Sequence, residues 1–445
     1  APLKKHLWRG EMKYFEFNKD KKTLNALDQT GQIFAVNRRN FIVGGSALFA
    51  GFAIPGGLSG AIASAKPDTA EVNAWVSIHS DGEVVIVSPN AEMGQGTMTA
   101  IPLLAAEELD ADWSKVRVEQ VGPISKEYGN PIFGGIIHTV ASLTTAGLFD
   151  NVRLAGAQAR KMLLAEAAKQ WGVSVASLTT ENGYVYQGLR KKSYGDVIKG
   201  SKGLKNPPKA VRSDLKKPSE YRLIGKNIGR VDVPAKVNGS AEFGLDVKVP
   251  GMVHASIIRA PMHGAKPKKV DNQNEGALKA KVSIIKLDYG VALLAKDIAD
   301  VLAAREAVDV NWELPSLARN YDSQKSLGDY AKVSEDETVK GISWPGKARV
   351  PWARAVRGDA SDYKAKMASG DFKSISATYT SEHTYHAQME PMNATAKVSS
   401  DGKSAEIWAP TQAISVSTFA AAGVLKTSPG NIKVNTTFLG GGFGR

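Results

Sequence analysis

The chain has 445 residues, enough to bury several cores, and its 43% hydrophobic and 23% charged composition excludes wholesale disorder. It holds no cysteine, which excludes disulfides, thiolate zinc sites, iron–sulfur clusters and covalently attached haem from this polypeptide. The formal charge of +13 is local: residues 1–40 carry nine Lys/Arg against four Asp/Glu and residues 190–230 carry thirteen against three, so the rest is close to neutral and shows no aromatic-interleaved basic stripe of a nucleic-acid binder.

Around residue 40 the sequence reads VNRRNFIVGGSALFAGFAIPGGLSGAIASAKP. Arg38 and Arg39 precede Phe41, Ile42 and Val43, and the apolar stretch ends in Ala63-Ser64-Ala65, a small-residue cleavage pattern. It is similar to a twin-arginine export signal, whose pathway carries proteins already folded around their cofactors. Residues 41–63 approach the about 20 residues that a spanning helix needs, but seven Gly and Pro positions make them a poor helix. A signal is therefore expected rather than an anchor, with the periplasm as its address. The first residue is not Met, and Met12 is a candidate start.

After the leader, expected over 1–70, WVSIHSDGEVVIVSP from Trp75 alternates about a Ser-Asp-Gly turn and predicts a β-hairpin. NAEMGQGTMTAIPLLAAEELDADW then runs through a Gly-Gln-Gly loop into a helix with Ile101, Leu104, Ala105 and Leu109 on one face. A second helix is expected over 151–171. The Lys-, Pro- and Ser-rich stretch from Arg190 to Arg230 reads as an extended, solvated connector. A further unit begins near Asp232, with strands broken at Asn238-Gly239 and Pro250-Gly251, and ends near Trp312. A last unit carries strands at SISATYTSEHTY, NATAKVSS, SAEIWAP and NIKVNTTFL and a helix over 415–425. The mixture is α+β, without a fixed repeat period.

The closing FLGGGFGR spaces Gly440, Gly442 and Gly444 as G-x-G-x-G, with Arg445 where a dinucleotide fingerprint needs its third glycine. No Walker phosphate loop and no G-x-S-x-G elbow occur. His383, His386 and Glu390 lie within eight residues, but on a strand the two histidines would point to opposite faces, so no metal-ligand set is assigned. What remains are glycine loops with Gln95 and Gln412, non-titrating groups suited to holding a polar cofactor that does the chemistry itself.

EMGQGTMTA, TVASLTTAG, EPMNATA, IWAPTQ and FLGGGFGR together resemble the molybdenum-binding large subunit of xanthine oxidase-type molybdenum hydroxylases, over residues 70–445. Their order, with M-G-Q-G ahead of G-G-G-F-G, is similar to the branch of isoquinoline 1-oxidoreductase beta subunits and membrane-bound aldehyde dehydrogenases. The resemblance implies permuted cofactor-binding segments at 71–189 and 316–445, a basic connector at 190–224, and an intervening α/β hammerhead domain at 225–315. It implies a molybdopterin cofactor, in its cytosine dinucleotide form, with molybdenum. Gln412 would lie beside the metal and bond its apical oxygen ligand. Gly442, Phe443 and Gly444, with Arg445, would pass beneath the metal, where only glycine lets backbone approach so closely. Gly94, Gln95 and Gly96 would contact the pterin and its phosphates, with Ala141, Ser142 and Thr144 on the other side.

The implied reaction is hydroxylation of a small aldehyde or N-heteroaromatic substrate by water. Electrons would leave through a separate [2Fe-2S] small subunit to a c-type cytochrome subunit or quinone, associated with the inner membrane. The family's general-base glutamate, in a G-V-G-E-type motif, is absent from this chain. The sequence is therefore expected either to be part of a longer catalytic subunit or to be completed by a second polypeptide. A non-catalytic cofactor-binding or assembly subunit is the alternative.

Overall fold

The computed structural model describes residues 69–71, 73–120, 126–201, 208–272, 281–314, 320–336, 365–370, 372–373, 375 and 377–443. The twin-arginine stretch lies outside them. The chain forms two compact units, residues 1–241 with 411–436 and residues 242–410 with 437–445. Among the described residues no helix is long and apolar enough to cross a membrane.

The first unit opens with β1 (Thr69–Glu71), β2 (Val76–His79) and β3 (Val84–Ser88), paired antiparallel in that order, the expected hairpin turning at Gly82. After the Gly-Gln-Gly loop comes α1 (Thr97–Leu109), which returns the chain to β4 (Val116–Gln120), parallel to β3 with Val84 opposite Val116. A parallel neighbour requires such a crossover, and it places the loop at the carboxyl end of β3 and the amino end of α1. Val76, Ile78, Val84 and Ile86 bury one face of this sheet in a core shared with Ile101, Ala105 and Leu109.

The next helix, α2 (Thr144–Trp171), begins seven residues before the expected 151. Gly147 lowers the helix propensity of that first stretch and hid it in the sequence. It is glycine because a Cβ there would overlap the Asn130 side chain. Gly156 likewise lets α2 approach α1, where a Cβ would overlap the Ala105 carbonyl.

Residues 190–230 are not the solvated connector that their composition predicts. Arg190–Ser193 is β7, closing a meander with β5 (Thr179–Glu181) and β6 (Tyr184–Gln187), and Tyr194–Lys199 is α3. Farther on, Lys216 Nζ donates to Glu107 Oε1 at 2.8 Å and Asp110 Oδ1 at 2.5 Å, and the backbone N–H groups of Arg222, Leu223 and Ile224 all donate to Glu107. Arg153 donates to Glu108 at 2.8 Å. The cause is an acidic cluster at the carboxyl end of α1, where the helix dipole disfavours negative charge; the basic segment supplies the compensating cations. Val233–Asn238, read as strand, is a short helix, α4, with Pro234 in its first turn and Gly239 at φ 80° closing it.

In the second unit, β8 (His254–Arg259), β10 (Ser283–Leu287) and β11 (Gly290–Ala295) form an antiparallel sheet in the order β10-β11-β8. Strand β9 (Lys266–Asn272) pairs antiparallel with β12 (Val308–Glu313). Helix α5 (Ile298–Ala307), capped by Asp297, packs Val301 and Ala304 against Val291, Leu293 and Ala295. After α6 (Ser323–Glu335), the described residues of SISATYTSEHTY form no strand, against the expectation from their alternation. Its described residues Ile375, Tyr379 and Tyr385 are exposed, and no strand among the described residues offers them a ladder. Alternation alone does not satisfy backbone groups. The hairpin of β13 (Thr395–Val398) and β14 (Ala405–Ala409) follows as expected. Back in the first unit, α7 (Ile414–Leu425) and β15 (Ile432–Thr436) fall where the sequence places them.

Candidate functional site

The Gly-Gln-Gly loop is built around Glu92, a fully buried carboxylate directly before it. Its Oε1 accepts from Gly94 N at 2.8 Å and Gly96 N at 3.0 Å, and its Oε2 accepts from Met98 N at 2.9 Å. Arg230 closes the arrangement, donating to Glu92 Oε1 at 3.2 Å, the Gly94 carbonyl at 2.8 Å and Asp232 Oδ2 at 2.6 Å. Gly94 and Gly96 both have positive φ, 108° and 88°, which a side chain would strain. Gln95 folds back as well, donating to the Ala91 carbonyl and Thr97 Oγ1 at 2.7 Å each and accepting from Met93 N at 2.8 Å. In this arrangement the amides of Gly94 and Gly96 bond inward to Glu92, so the loop offers shape more than N–H donors.

A different donor set opens at Ala141 and Ser142. Both have positive φ, 55° and 56°, an unfavourable conformation for residues with a Cβ, and both are exposed. They lead through Leu143 into α2, whose amino end has no side-chain cap. The N–H groups of a first helical turn, added to the dipole of 28 residues, suit a bound anion. Thr144 is buried in that turn, and Ser142 stands before it.

Thr139 ties the motifs together. Its N–H donates to the Gln412 carbonyl at 2.8 Å, and its carbonyl accepts from Gln412 Nε2 at 2.7 Å. Its hydroxyl accepts from Ala91 N at 3.0 Å. Gln95, Ala91, Thr139 and Gln412 thus form one bonded chain, from the glycine loop past the Ala141–Ser142 turn to the start of α7. Among the described residues, the second amide hydrogen of Gln412 Nε2 is left for another acceptor. Beside Thr139, burial pushes the His138 imidazole below its ordinary pKa, which favours the neutral ring.

Asn130 fixes the turn from beneath: it is buried, donates to the Leu143 carbonyl at 3.0 Å and accepts from Ile132 N at 2.9 Å. Asn130→Asp keeps the acceptor and loses the donor. It is expected to cost about 1–3 kcal/mol, read as a lower urea midpoint.

Gly442 and Phe443 belong to the second unit; Gly444 and Arg445 lie outside the described residues. The loop leading to them is held by Glu390, which accepts from Gly440 N at 2.8 Å, Leu245 N at 3.2 Å and Asn393 Nδ2 at 2.9 Å. Gly440 admits no side chain, because a Cβ would overlap Glu390. Gly441 and Phe443 have positive φ, and Phe443 is exposed. The His383 ring meets the Tyr321 hydroxyl at 2.9 Å. The described residues contain no group of three or more His, Asp or Glu placed to hold a metal ion.

Glu92, Thr139, Asn130 and Arg230 are absent from the sequence-derived site. Only Glu92 had a legible signal, an acid abutting two glycines whose amides need an acceptor. The uncapped first-turn donors of α2 suit a polyanionic group such as a pterin phosphate, and Gln412 is tied to Thr139, five residues before that helix.

A family model described as a molybdopterin cofactor-binding domain matches residues 37–232, and another of the same description matches residues 347–445. Subunit beta of isoquinoline 1-oxidoreductase from Brevundimonas diminuta is 35% identical, over 92% of this chain and 56% of its own length. The chain belongs to the molybdenum-binding subunits of the xanthine oxidase family. A second relative of this molybdenum subunit, the membrane-bound aldehyde dehydrogenase [pyrroloquinoline-quinone] of Gluconacetobacter polyoxogenes, is 29% identical over 98% of the chain and 54% of the relative. The chain thus spans little more than half the length of these curated relatives. Among solved structures, quinoline 2-oxidoreductase from Pseudomonas putida 86 aligns over 49% of this chain and 31% of its own, with TM-score 0.34 and 15% identity.

Proposed function

We propose that this molybdenum subunit serves an exported oxidoreductase that hydroxylates small aldehydes or N-heteroaromatics with water. The observation that carries the reading is the bonded chain from Gln95 through Ala91 and Thr139 to Gln412, beside the uncapped head of α2. When bound, the cofactor supplies a metal that takes two electrons from substrate and delivers oxygen derived from water. The chain's own part is to hold and orient it. The first-turn amides of α2, with Ser142 and Thr144, receive its anionic groups, and Gly94, Gln95 and Gly96 present a closely approaching wall. Gln412, its Nε2 held by the Thr139 carbonyl, would turn its remaining amide hydrogen toward the bound cofactor. By sequence resemblance alone, Gly442, Phe443, Gly444 and Arg445 would also contact the cofactor.

No G-V-G-E-type motif lies within the 445 residues, and no general base is assigned among them. The 445 residues hold no cysteine to ligate an iron–sulfur cluster, and in this proposal the electrons pass to a [2Fe-2S] group outside them and then to a c-type cytochrome or quinone. The Arg38–Arg39 leader supports a periplasmic address; export should then stop in cells that lack the twin-arginine translocase.

Metal and nucleotide analysis of the purified complex is the test. Stoichiometric molybdenum is expected, with cytidine monophosphate released from the cytosine dinucleotide form. An active preparation that contains pyrroloquinoline quinone and no molybdenum would overturn the reading. Turnover of acetaldehyde against isoquinoline with an artificial acceptor then assigns the substrate class.

A further inference from the structure

We propose that Glu92 is the positioning residue of the cofactor-facing glycine loop, with Arg230 as its brace; this rests on the molybdopterin reading of the site. A carboxylate with no exposure to solvent collects three amide donors at alternate positions, those of Gly94, Gly96 and Met98, and so dictates the path of the chain between β3 and α1. Two of those amides belong to glycines at positive φ, where the backbone has the most freedom to lose. An internal acceptor that fixes them before the ligand arrives removes that ordering cost from binding. Arg230 reaches the same carboxylate and the Gly94 carbonyl together, which clamps the loop from a second segment of the chain. Asp232 holds the guanidinium in turn through Nε at 2.9 Å and Nη2 at 2.6 Å. Because the carboxylate uses the inward amides, those N–H groups are not offered to a ligand, and the cofactor's phosphates are left to the head of α2.

The test is hydrogen exchange of the purified holoprotein, with pterin and molybdenum content measured on the same sample. Glu92→Gln keeps the volume but turns an amide group toward three N–H donors that need acceptors. The amides of Gly94, Gly96 and Met98 should then exchange about 10- to 100-fold faster, the range set by one lost charge-assisted bond. Pterin content should fall while amide protection elsewhere in the protein stays near wild type. Arg230→Gln, at a partly exposed site, should move the same amides in the same direction by less, and serves if Glu92→Gln does not fold.

Unchanged exchange at the three amides would overturn the brace. Faster exchange with full pterin retention would overturn its positioning role. A wild-type protein that shows the protected amides but holds no pterin would overturn the cofactor reading instead.

Discussion

Lys216→Met should lower the unfolding free energy by about 3–5 kcal/mol, the usual cost of removing one partner from a buried ionic cluster. The Lys216 side chain is 8% exposed and its ammonium lies between Glu107 and Asp110, themselves 0% and 7% exposed. Without it, both carboxylates stay buried. Arg222 bonds Asp110 at 3.1 Å, and Arg160 approaches it at 3.7 Å, but neither side chain makes an ion pair with Glu107. The position makes matters worse, because both acids stand at the negative end of the α1 dipole. Methionine matches the stem of lysine closely, so packing loss contributes little. The control is Arg212→Met, which removes an ion pair with Asp150 from a side chain 80% exposed and should cost about 0–1 kcal/mol. Urea unfolding of the two variants decides the matter: equal midpoints would show that residues 208–224 are tethered by something other than this cluster.

That cluster also shows where the sequence could be read and where it could not. The hairpin at Val76–Ser88, the helix after Gly96 and the helix at Ile414–Leu425 were legible because a local pattern and a local punctuator agreed at each. Residues 190–230 were misread because composition counts charges without their partners, and the partners are Glu107, Glu108 and Asp110 on a helix some hundred residues earlier. SISATYTSEHTY fails for a related reason, since a strand needs a neighbour that its own alternation cannot supply. Gln412 and the glycine loop were identified through motifs. Their linkage through Thr139 was not, because an otherwise ordinary threonine there bonds both the backbone and the side chain of a residue 273 positions away.

Acid should destabilise the first unit through Asp232 and Glu107, and the sign follows from their environments. Burial alone would raise the Asp232 pKa, but hydrogen bonds from Arg230 and Lys236 outweigh it and hold the carboxyl at about 2. Burial is likewise outweighed at Glu107 by Lys216 and the N–H groups of residues 222–224, which keep it below its ordinary value. A carboxyl lowered on folding stabilises the protein above its unfolded pKa and loses that contribution as pH falls through the folded one. For Asp232, a fall from 3.8 to about 2 amounts to about 2 kcal/mol, lost between roughly pH 4 and pH 2. Glu108 acts in the opposite sense. There burial prevails over Lys216, Arg153 and Arg160 and raises the pKa, so its contribution is present at low pH and lost as pH rises through that raised value. The opposing effects separate along the pH axis. Urea midpoints measured from about pH 2 to pH 6 should fall steeply below pH 4 in the wild type. In Asp232→Asn the limb should flatten by about 2 kcal/mol, and an unchanged slope in that variant would remove Asp232 from the account.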